Sequence, residues 1–353
     1  MRLASVEVIP YALPFKEPYV TARGRLDQRE MVLLRLRSED GVVGLGEAVP
    51  LSLRGGPGLA DVVDELGRLG ERDSLDEATL QGDVLSLSAP ARNAALTALL
   101  DLRGRWTAAT EGSTALAEAG AVECNATLSA GDPAVVAAEA SRWAEDGFET
   151  FKLKLGTSDD FGQVFAVREA VGPRARIRID ANAAWDVETA KQMLRSLEPL
   201  EIELAEQPVE TLEEAAEVTA STSIPIAGDE SIESRADAER ARETNACALT
   251  GIKLSKVGGP EAAIEIAEVL PAYLSSALDG PVGIAAAAQV AQTLQDVAGA
   301  DSPGLAHGLA TQRLFASTIA SVECELRDGK LYPPPGPGLG VEIDEDALAA
   351  HRL

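Results

Sequence analysis

The stretch ETFKLKLGTSDDFGQVFAVREAVGPRARIRID, residues 149–180, reads as a short apolar strand, a helix and a second apolar strand. Each strand closes on a charged side chain, Lys154 in the first and Asp180 in the second. Further along the chain the unit repeats. Glu206 closes EIELAEQP, Asp229 closes IPIAGDES, and Lys253 follows in LTGIKLSK. The steps from Lys154 are 26, 26, 23 and 24 residues, close to the length of one strand plus one helix. This spacing predicts strands over 149–154, 176–181, 201–206, 224–228 and 247–253. Helices are predicted over 159–171, 186–198, 211–220, 233–243 and 260–269.

Upstream, AVECNATL reads as a strand. Asp132 opens a helix with Pro133 in its first turn and Gly147 past its end. Downstream, strands at 272–277 and 304–307 flank the helix PVGIAAAAQVAQTLQ. Alternation of this length implies a parallel sheet, and about eight such units suggest a closed barrel. Reactive groups in such barrels lie at the C-terminal strand ends, so the five charged residues are expected to converge on one rim.

Residues 1–53 read as strands, with a hairpin turn at Ser38-Glu39-Asp40-Gly41, and 59–119 as Ala- and Leu-rich helices. The expected organisation is an α+β capping domain over 1–120, the barrel with its site over 121–320, and a segment over 321–353 that packs back on the cap.

Composition narrows the class of function. The formal charge of −26 disfavours nucleic acid and anionic membranes as partners, and an anionic substrate would need a local positive site. No run of 18 apolar residues occurs and the N-terminus lacks signal-peptide order, so a cytoplasmic location is expected. Cys124, Cys247 and Cys324 are odd in number and far apart, which points to buried thiols rather than disulfides or zinc. The sequence leaves a homo-oligomer open.

Asp180, Glu206 and Asp229 offer hard oxygen ligands, the chemistry of Mg²⁺ with Mn²⁺ as a substitute. Alone, each carboxylate would equally serve as a helix cap. Only seven lysines occur against 24 arginines, and four of them are Lys152, Lys154, Lys253 and Lys256. Lysine, unlike arginine, can lose its proton in a site. Lys152 and Lys154 are two apart on a strand and point to one face, the barrel interior. Mutual repulsion and a metal are expected to depress their pKa and make one a neutral base. Lys256 is read as solvated.

These residues resemble the enolase superfamily in its muconate-lactonising branch. The motifs are Lys152-Leu-Lys154, Asp180-Ala-Asn182, Glu206-Gln-Pro208, Gly228-Asp229-Glu230 and Ile252-Lys253. The resemblance covers nearly the whole chain. It implies a modified TIM barrel, (β/α)₇β, with an N-terminal α+β capping domain completed by the C-terminal tail.

Within the branch, Asn125-Ala-Thr127, Ser275-Ser-Ala-Leu-Asp279 and His307-Gly-Leu-Ala-Thr311 resemble the o-succinylbenzoate synthases. That resemblance implies a Mg²⁺-dependent syn dehydration of 2-succinyl-6-hydroxy-2,4-cyclohexadiene-1-carboxylate, in menaquinone biosynthesis. Lys154 would take the α-proton, Lys152 would hold the enediolate and Lys253 would face the ring. Asn182, Ser275, Ser276 and Gly308 would bind substrate. Arg23, Arg25 and Arg54, in loops Thr21–Arg25 and Leu51–Gly58, are candidates to meet a carboxylate. The departure is Gly280-Pro281 after Asp279, where the family pattern has small polar residues.

The same parts would also serve an N-acylamino acid racemase or a dipeptide epimerase. Epimerases of this type carry an Asp-x-Asp near the eighth strand, and Gly304–Thr311 has no acidic residue. Mandelate-type chemistry needs a His–Asp pair, and only His307 and His351 are present. A Schiff-base lysine aldolase would not need three converging carboxylates, and a non-catalytic carboxylate-binding barrel would be marked by a missing ligand or lysine, whereas none is missing.

Overall fold

Alternation in the first 50 residues builds an antiparallel sheet of β1 (Leu3–Thr21), β2 (Gly24–Ser38) and β3 (Val43–Ala48). The computed structural model describes residues 1–21, 24–52, 55–71, 76–111, 120–156, 159–298 and 304–353. The period of two on β2 splits its side chains between two cores. Val32, Leu34 and Leu36 pack with the cap helices, whereas Met31 and Leu33 join the core shared with the barrel. The cap helices are α1 (Leu59–Leu69), α2 (Glu77–Val84) and α3 (Ala89–Glu111). At Gly44 and Gly46 a Cβ would collide with the carbonyl oxygens of Ala98 and Ala94, so α3 lies directly on β3.

After β4 (Val122–Glu123), the barrel runs β5 (Ala126–Leu128), α4 (Pro133–Glu145), β6 (Thr150–Lys154), α5 (Asp160–Val171), β7 (Arg176–Asp180) and α6 (Val187–Leu197). It continues through β8 (Ile202–Glu206), α7 (Leu212–Thr219), β9 (Ile226–Gly228), α8 (Arg235–Glu243) and β10 (Leu249–Ile252). Then come α9 (Leu254–Val257), α10 (Pro260–Ala267), β11 (Ala272–Leu274) and α11 (Pro281–Ala298). The strands form one sheet in the order β11-β10-β9-β8-β7-β6-β5, with every pair parallel. The cap and barrel together are the modified (β/α)₇β architecture.

Two of the barrel helices show how a side-chain cap sets the start. Asp132 accepts from the amides of Ala134 and Val135 ahead of α4, and Thr211 with Glu214 forms a capping box on α7.

The eighth stave differs from the expected strand at 304–307. It is reduced to single parallel bridges, Cys124 with His307 and Ser275 with Gly308. Four backbone hydrogen bonds close the ring there, among them His307 N to Glu123 O at 2.7 Å and Gly308 N to Leu274 O at 2.7 Å. Inside the barrel, away from the rim, Arg178 is fully buried. It donates to Glu203 at 2.5 Å and to the Ala306 carbonyl at 2.6 Å, and lies over the Tyr273 ring.

The tail returns to the cap. β12 (Ala320–Val322) pairs β15 (Glu342–Ile343), and β14 (Lys330–Tyr332) pairs both β13 (Glu325–Arg327) and β4. Buried Asp101 on α3 accepts from the amides of Leu45 at 2.8 Å and Leu339 at 2.6 Å. Beyond α12 (Glu345–His351), Leu353 N donates to Pro10 O at 3.0 Å. Among the described residues, no helix is long and apolar enough to cross a membrane.

Candidate active site

Register puts the charged residues on one rim. Lys154 pairs Asp180, and Asp180 pairs Glu206, each the last residue of its strand. Asp229, Lys253 and Ser275 each directly follow the next three strands. The three carboxylates are fully buried, and Lys152, Lys154 and Lys253 are at most 7% exposed. Burial of that much charge is tolerable only because it is paired.

The pairing is specific. Lys152 Nζ donates to Glu206 Oε2 at 2.5 Å and lies 2.9 Å from Asp180 Oδ2. Lys154 Nζ donates to Asp180 Oδ2 at 2.5 Å and to Asn182 Oδ1 at 3.2 Å. Lys253 is bonded to Asp229 Oδ2. Lys256, expected in solvent, is buried instead. It donates to Asp229 Oδ1 at 2.9 Å and to the Ile232 carbonyl at 2.8 Å. The cause is α9, a single turn directly after β10 that carries residue 256 back inward.

The electrostatics also depart from expectation for the lysines. Burial works against the ammonium of Lys152, but Asp180 and Glu206 overrule it and hold its pKa above the ordinary value. Lys154 is raised in the same way, chiefly by Asp180 against burial. The expectation of a depressed pKa counted lysine repulsion together with a bound metal; between the lysines and the carboxylates alone, the carboxylates outweigh the repulsion. Burial likewise opposes ionised Asp180, yet Lys152, Lys154 and Lys253 hold it well below the usual carboxylate range. Glu206 is raised by burial and by Asp180: one set of ammonium groups satisfies Asp180 at its neighbour's expense.

Among the described residues, no three Asp, Glu, His or Cys side chains are grouped closely enough to hold a metal. The Lys152 ammonium lies between the carboxylates of Asp180 and Glu206. The donor set itself, three oxygen ligands on neighbouring strands, fits a hard divalent cation. Glu206 Oε1 is buried without a hydrogen-bond partner, and such an atom needs a cation or donor that the protein does not supply.

Lys152, Lys154, Lys253 and Asn182 line one cavity of about 90 Å³. Ser275, Ser276, Gly308 and Thr311 also line it, together with Tyr19, Leu26, Arg29 and Leu51 of the cap. Of the expected substrate-binding residues, Asn182, Ser275, Ser276 and Gly308 are thus together. Arg23 and Arg54 lie outside the described residues, while Arg25 is exposed and paired with Asp27 at 2.9 Å.

Several site residues were not evident from the sequence. Tyr273 donates to Glu206 Oε2 from inside the barrel. Gln207, at φ 39°, accepts from the Asp229 amide at 2.8 Å and the Ser231 amide at 3.2 Å. A non-glycine residue held in the left-handed region costs about 1–3 kcal/mol, and such strain concentrates at functional sites. Its place in Glu206-Gln-Pro208 was the signal that could have found it. Buried Arg29 reaches the cavity from β2 and donates to the Pro50 carbonyl at 2.8 Å. The three cysteines are free and buried, and burial pushes their thiols up to about 12.

Two family models match. The mandelate racemase / muconate lactonizing enzyme N-terminal domain covers residues 4–110, and the enolase C-terminal domain-like family covers 135–347. An o-succinylbenzoate synthase of Thermobifida fusca is 38% identical over 69% of this chain and 76% of its own length. A muconate lactonizing enzyme of Pseudomonas fluorescens, solved with muconolactone, superposes with a TM-score of 0.89 at 28% identity, covering 99% of both chains. A dipeptide epimerase of Enterococcus faecalis, solved with Mg and L-Leu-L-Tyr, gives a TM-score of 0.86 at 26% identity, over 97% of this chain and 100% of that one. The matches span both the cap and the barrel whose rim carries the buried acid–base cluster, and the chain belongs to the mandelate racemase / muconate-lactonizing branch of the enolase superfamily.

Proposed function

We propose that this site removes and returns the proton on the carbon next to a carboxylate, with Lys154 and Lys253 as the proton-carrying groups. The observation that carries the reading is the placement of these two lysines. They line one cavity from β6 and from the end of β10, and each is held by a different carboxylate, Asp180 or Asp229. Amines on separate strands suit removal of a proton from one face and delivery to the other, which inverts the carbon.

Asp180, Glu206 and Asp229 would hold Mg²⁺, with Mn²⁺ as a substitute; the Mg in the related dipeptide epimerase supports this choice. When bound, the ion would supply positive charge against the charge developing at the reacting carbon, and Asp180, Glu206 and Asp229 would then face it rather than the ammonium groups. Lys154 then keeps Asn182 Oδ1 to orient its Nζ. Lys152 adds a third positive group to the same wall.

The cavity also limits the substrate. Its described lining contains Lys152, Lys154, Lys253 and Arg29 but no carboxylate. A free ammonium, as in a dipeptide, finds no carboxylate among the described lining residues, whereas the carboxylates of an N-acylated amino acid or a dicarboxylate meet four cations. The leading reading is therefore an N-acylamino acid racemase. Dehydration to o-succinylbenzoate, put first by the sequence, stands second. The 38% identical synthase favours it, but the likenesses along the whole chain to muconate-lactonizing and epimerase enzymes support proton-transfer alternatives at least as well.

A paired assay with Mg²⁺ separates the readings. One arm follows racemisation and α-deuterium exchange of N-succinyl- and N-acetylamino acids in D₂O. The other follows o-succinylbenzoate formation from the cyclohexadiene carboxylate. Exchange without dehydration supports the racemase and dehydration alone supports the synthase. Failure of both arms overturns the proposal.

A further inference from the structure

The turn over residues 276–280, between β11 and α11, lines the catalytic cavity with Ser276, Ala277 and Leu278. Leu278 is buried at φ 67°, in the left-handed region. A leucine is strained there and stays only where its surroundings hold it. The hold comes from the next residue, buried Asp279. Its Oδ2 accepts from Ser276 Oγ at 2.8 Å and from the Ala277 amide at 2.6 Å, and its own amide donates to Ser276 Oγ at 2.8 Å. These three bonds tie together the residues on both sides of Leu278.

Each strand of the cap sends one buried side chain to this turn. Glu47 of β3 accepts from Gly280 N at 2.6 Å, and Tyr11 of β1 donates to Glu47 Oε2 at 2.8 Å. Burial raises the pKa of Asp279, opposed by its bonds with Ser276 and Ala277 and by the charge of Arg29 on β2. The fit is close. A Cβ on Gly280 would strike Tyr11 Oη and Glu47, and one on Gly283 would strike Glu47 and Asp279. The departure at Gly280 thus has a physical reading: the cap carboxyl and phenol fill the space that a side chain at 280 would need.

Ser276 has one hydroxyl proton, and Asp279 holds it. That leaves Ala277 and Leu278 as what the turn presents to a substrate, in a lining that also contains Leu26, Pro50 and Leu51 of the cap. We infer that Asp279 is a positioning residue that fixes this apolar wall, with Glu47 bracing it from the cap, and that the wall takes an apolar side chain of the substrate. The inference rests on the N-acylamino acid reading above. The carboxylates of such a substrate belong with the lysines and Arg29, whereas an uncharged side chain gains by leaving water for the leucines.

The test measures kcat and KM for N-succinylphenylalanine and N-succinylalanine with Mg²⁺, after near-ultraviolet circular dichroism has checked folding. Asp279→Ala should raise KM for the phenylalanine substrate about ten-fold at unchanged kcat and leave both constants for the alanine substrate as they are. Asp279→Asn, which keeps a carbonyl acceptor for the Ala277 amide, should restore most of the preference. Leu278→Gly adopts the same φ without strain and removes the wall itself, so it should lose the preference with Asp279 intact. A preference unchanged in Asp279→Ala or in Leu278→Gly, or an equal loss for both acids, overturns the inference. Should wild-type protein turn over neither acid, the proposed function fails by itself. The turn is then judged by crystal structures of wild type and Asp279→Ala, where Leu278 should leave its positive φ in the variant; an unchanged φ overturns the role of Asp279.

Discussion

Lys152 bridges Asp180 and Glu206, with its Nζ 2.9 Å from Asp180 Oδ2 and 2.5 Å from Glu206 Oε2. One ammonium thus takes the position between two carboxylates that a dication would contest. Removing a single partner from a buried ion pair typically costs about 3–5 kcal/mol, because the other charge is left uncompensated. Lys152→Met should therefore lower the urea-unfolding free energy by about 3 kcal/mol in EDTA. Saturating Mg²⁺ should restore most of it. An equal loss with and without Mg²⁺ would show that the carboxylates do not exchange one cation for the other.

Tyr273 fixes Glu206 from below the rim, and Arg178 lies over its ring at 4.9 Å. A group that orients a metal ligand typically changes metal affinity 10–100-fold when removed. Tyr273→Phe is expected to weaken Mg²⁺ binding about ten-fold by calorimetry, with the same secondary structure by circular dichroism. Unchanged affinity would reduce the hydroxyl to core packing.

Both of these residues mark what the sequence could and could not reveal. The strand ends were legible because a repeat of 23–26 residues matches the length of one strand plus one helix, and register then brings Lys154, Asp180 and Glu206 side by side. The pairing pattern was not legible, because it depends on side-chain reach across strands. Lys256 was misread because α9 spans only four residues, too short for periodicity to reveal. Tyr273 sits in an ordinary apolar strand whose composition says nothing of its hydroxyl. The eighth stave was expected as a strand, but two bridges suffice to close the barrel there.

Glu47 gives a pH dependence. It is buried at the joint of cap and barrel, accepting from Tyr11 Oη at 2.8 Å and from Gly280 N at 2.6 Å. Burial first, then Asp279, push its pKa up to about 8 from 4.5. The folded state therefore holds a proton that the unfolded state has released, and stability falls as pH rises between those values. His307 acts in the opposite sense, since burial lowers it to about 3 and its contribution is lost as pH falls below 6.5. Between pH 6.5 and 8 only the Glu47 trend of the two remains, at most about 1.4 kcal/mol per pH unit. Urea unfolding over that range should show the decline, and Glu47→Gln should flatten it. An unchanged slope in the variant would assign the decline elsewhere.

Gly46 tests the packing of the cap. A Cβ there would meet the Ala94 carbonyl of α3, so Gly46→Val must push the helix off the sheet. Overpacking of this kind costs about 1–3 kcal/mol, and more where backbone is struck. A fall in melting temperature of several degrees is expected. A variant as stable as wild type would show that α3 yields without cost.

Two lysines working from opposite sides of one α-carbon is the claim on which the functional account depends. The most direct measurement is loss of the α-proton signal of each enantiomer of an N-succinylamino acid in D₂O with Mg²⁺, followed by proton NMR. Wild type should exchange both enantiomers. Lys154→Ala should retain exchange in only one and Lys253→Ala in only the other, with racemisation abolished in both variants and all exchange lost in EDTA. Wild-type exchange of both enantiomers by either variant, or exchange that survives chelation, would contradict the account.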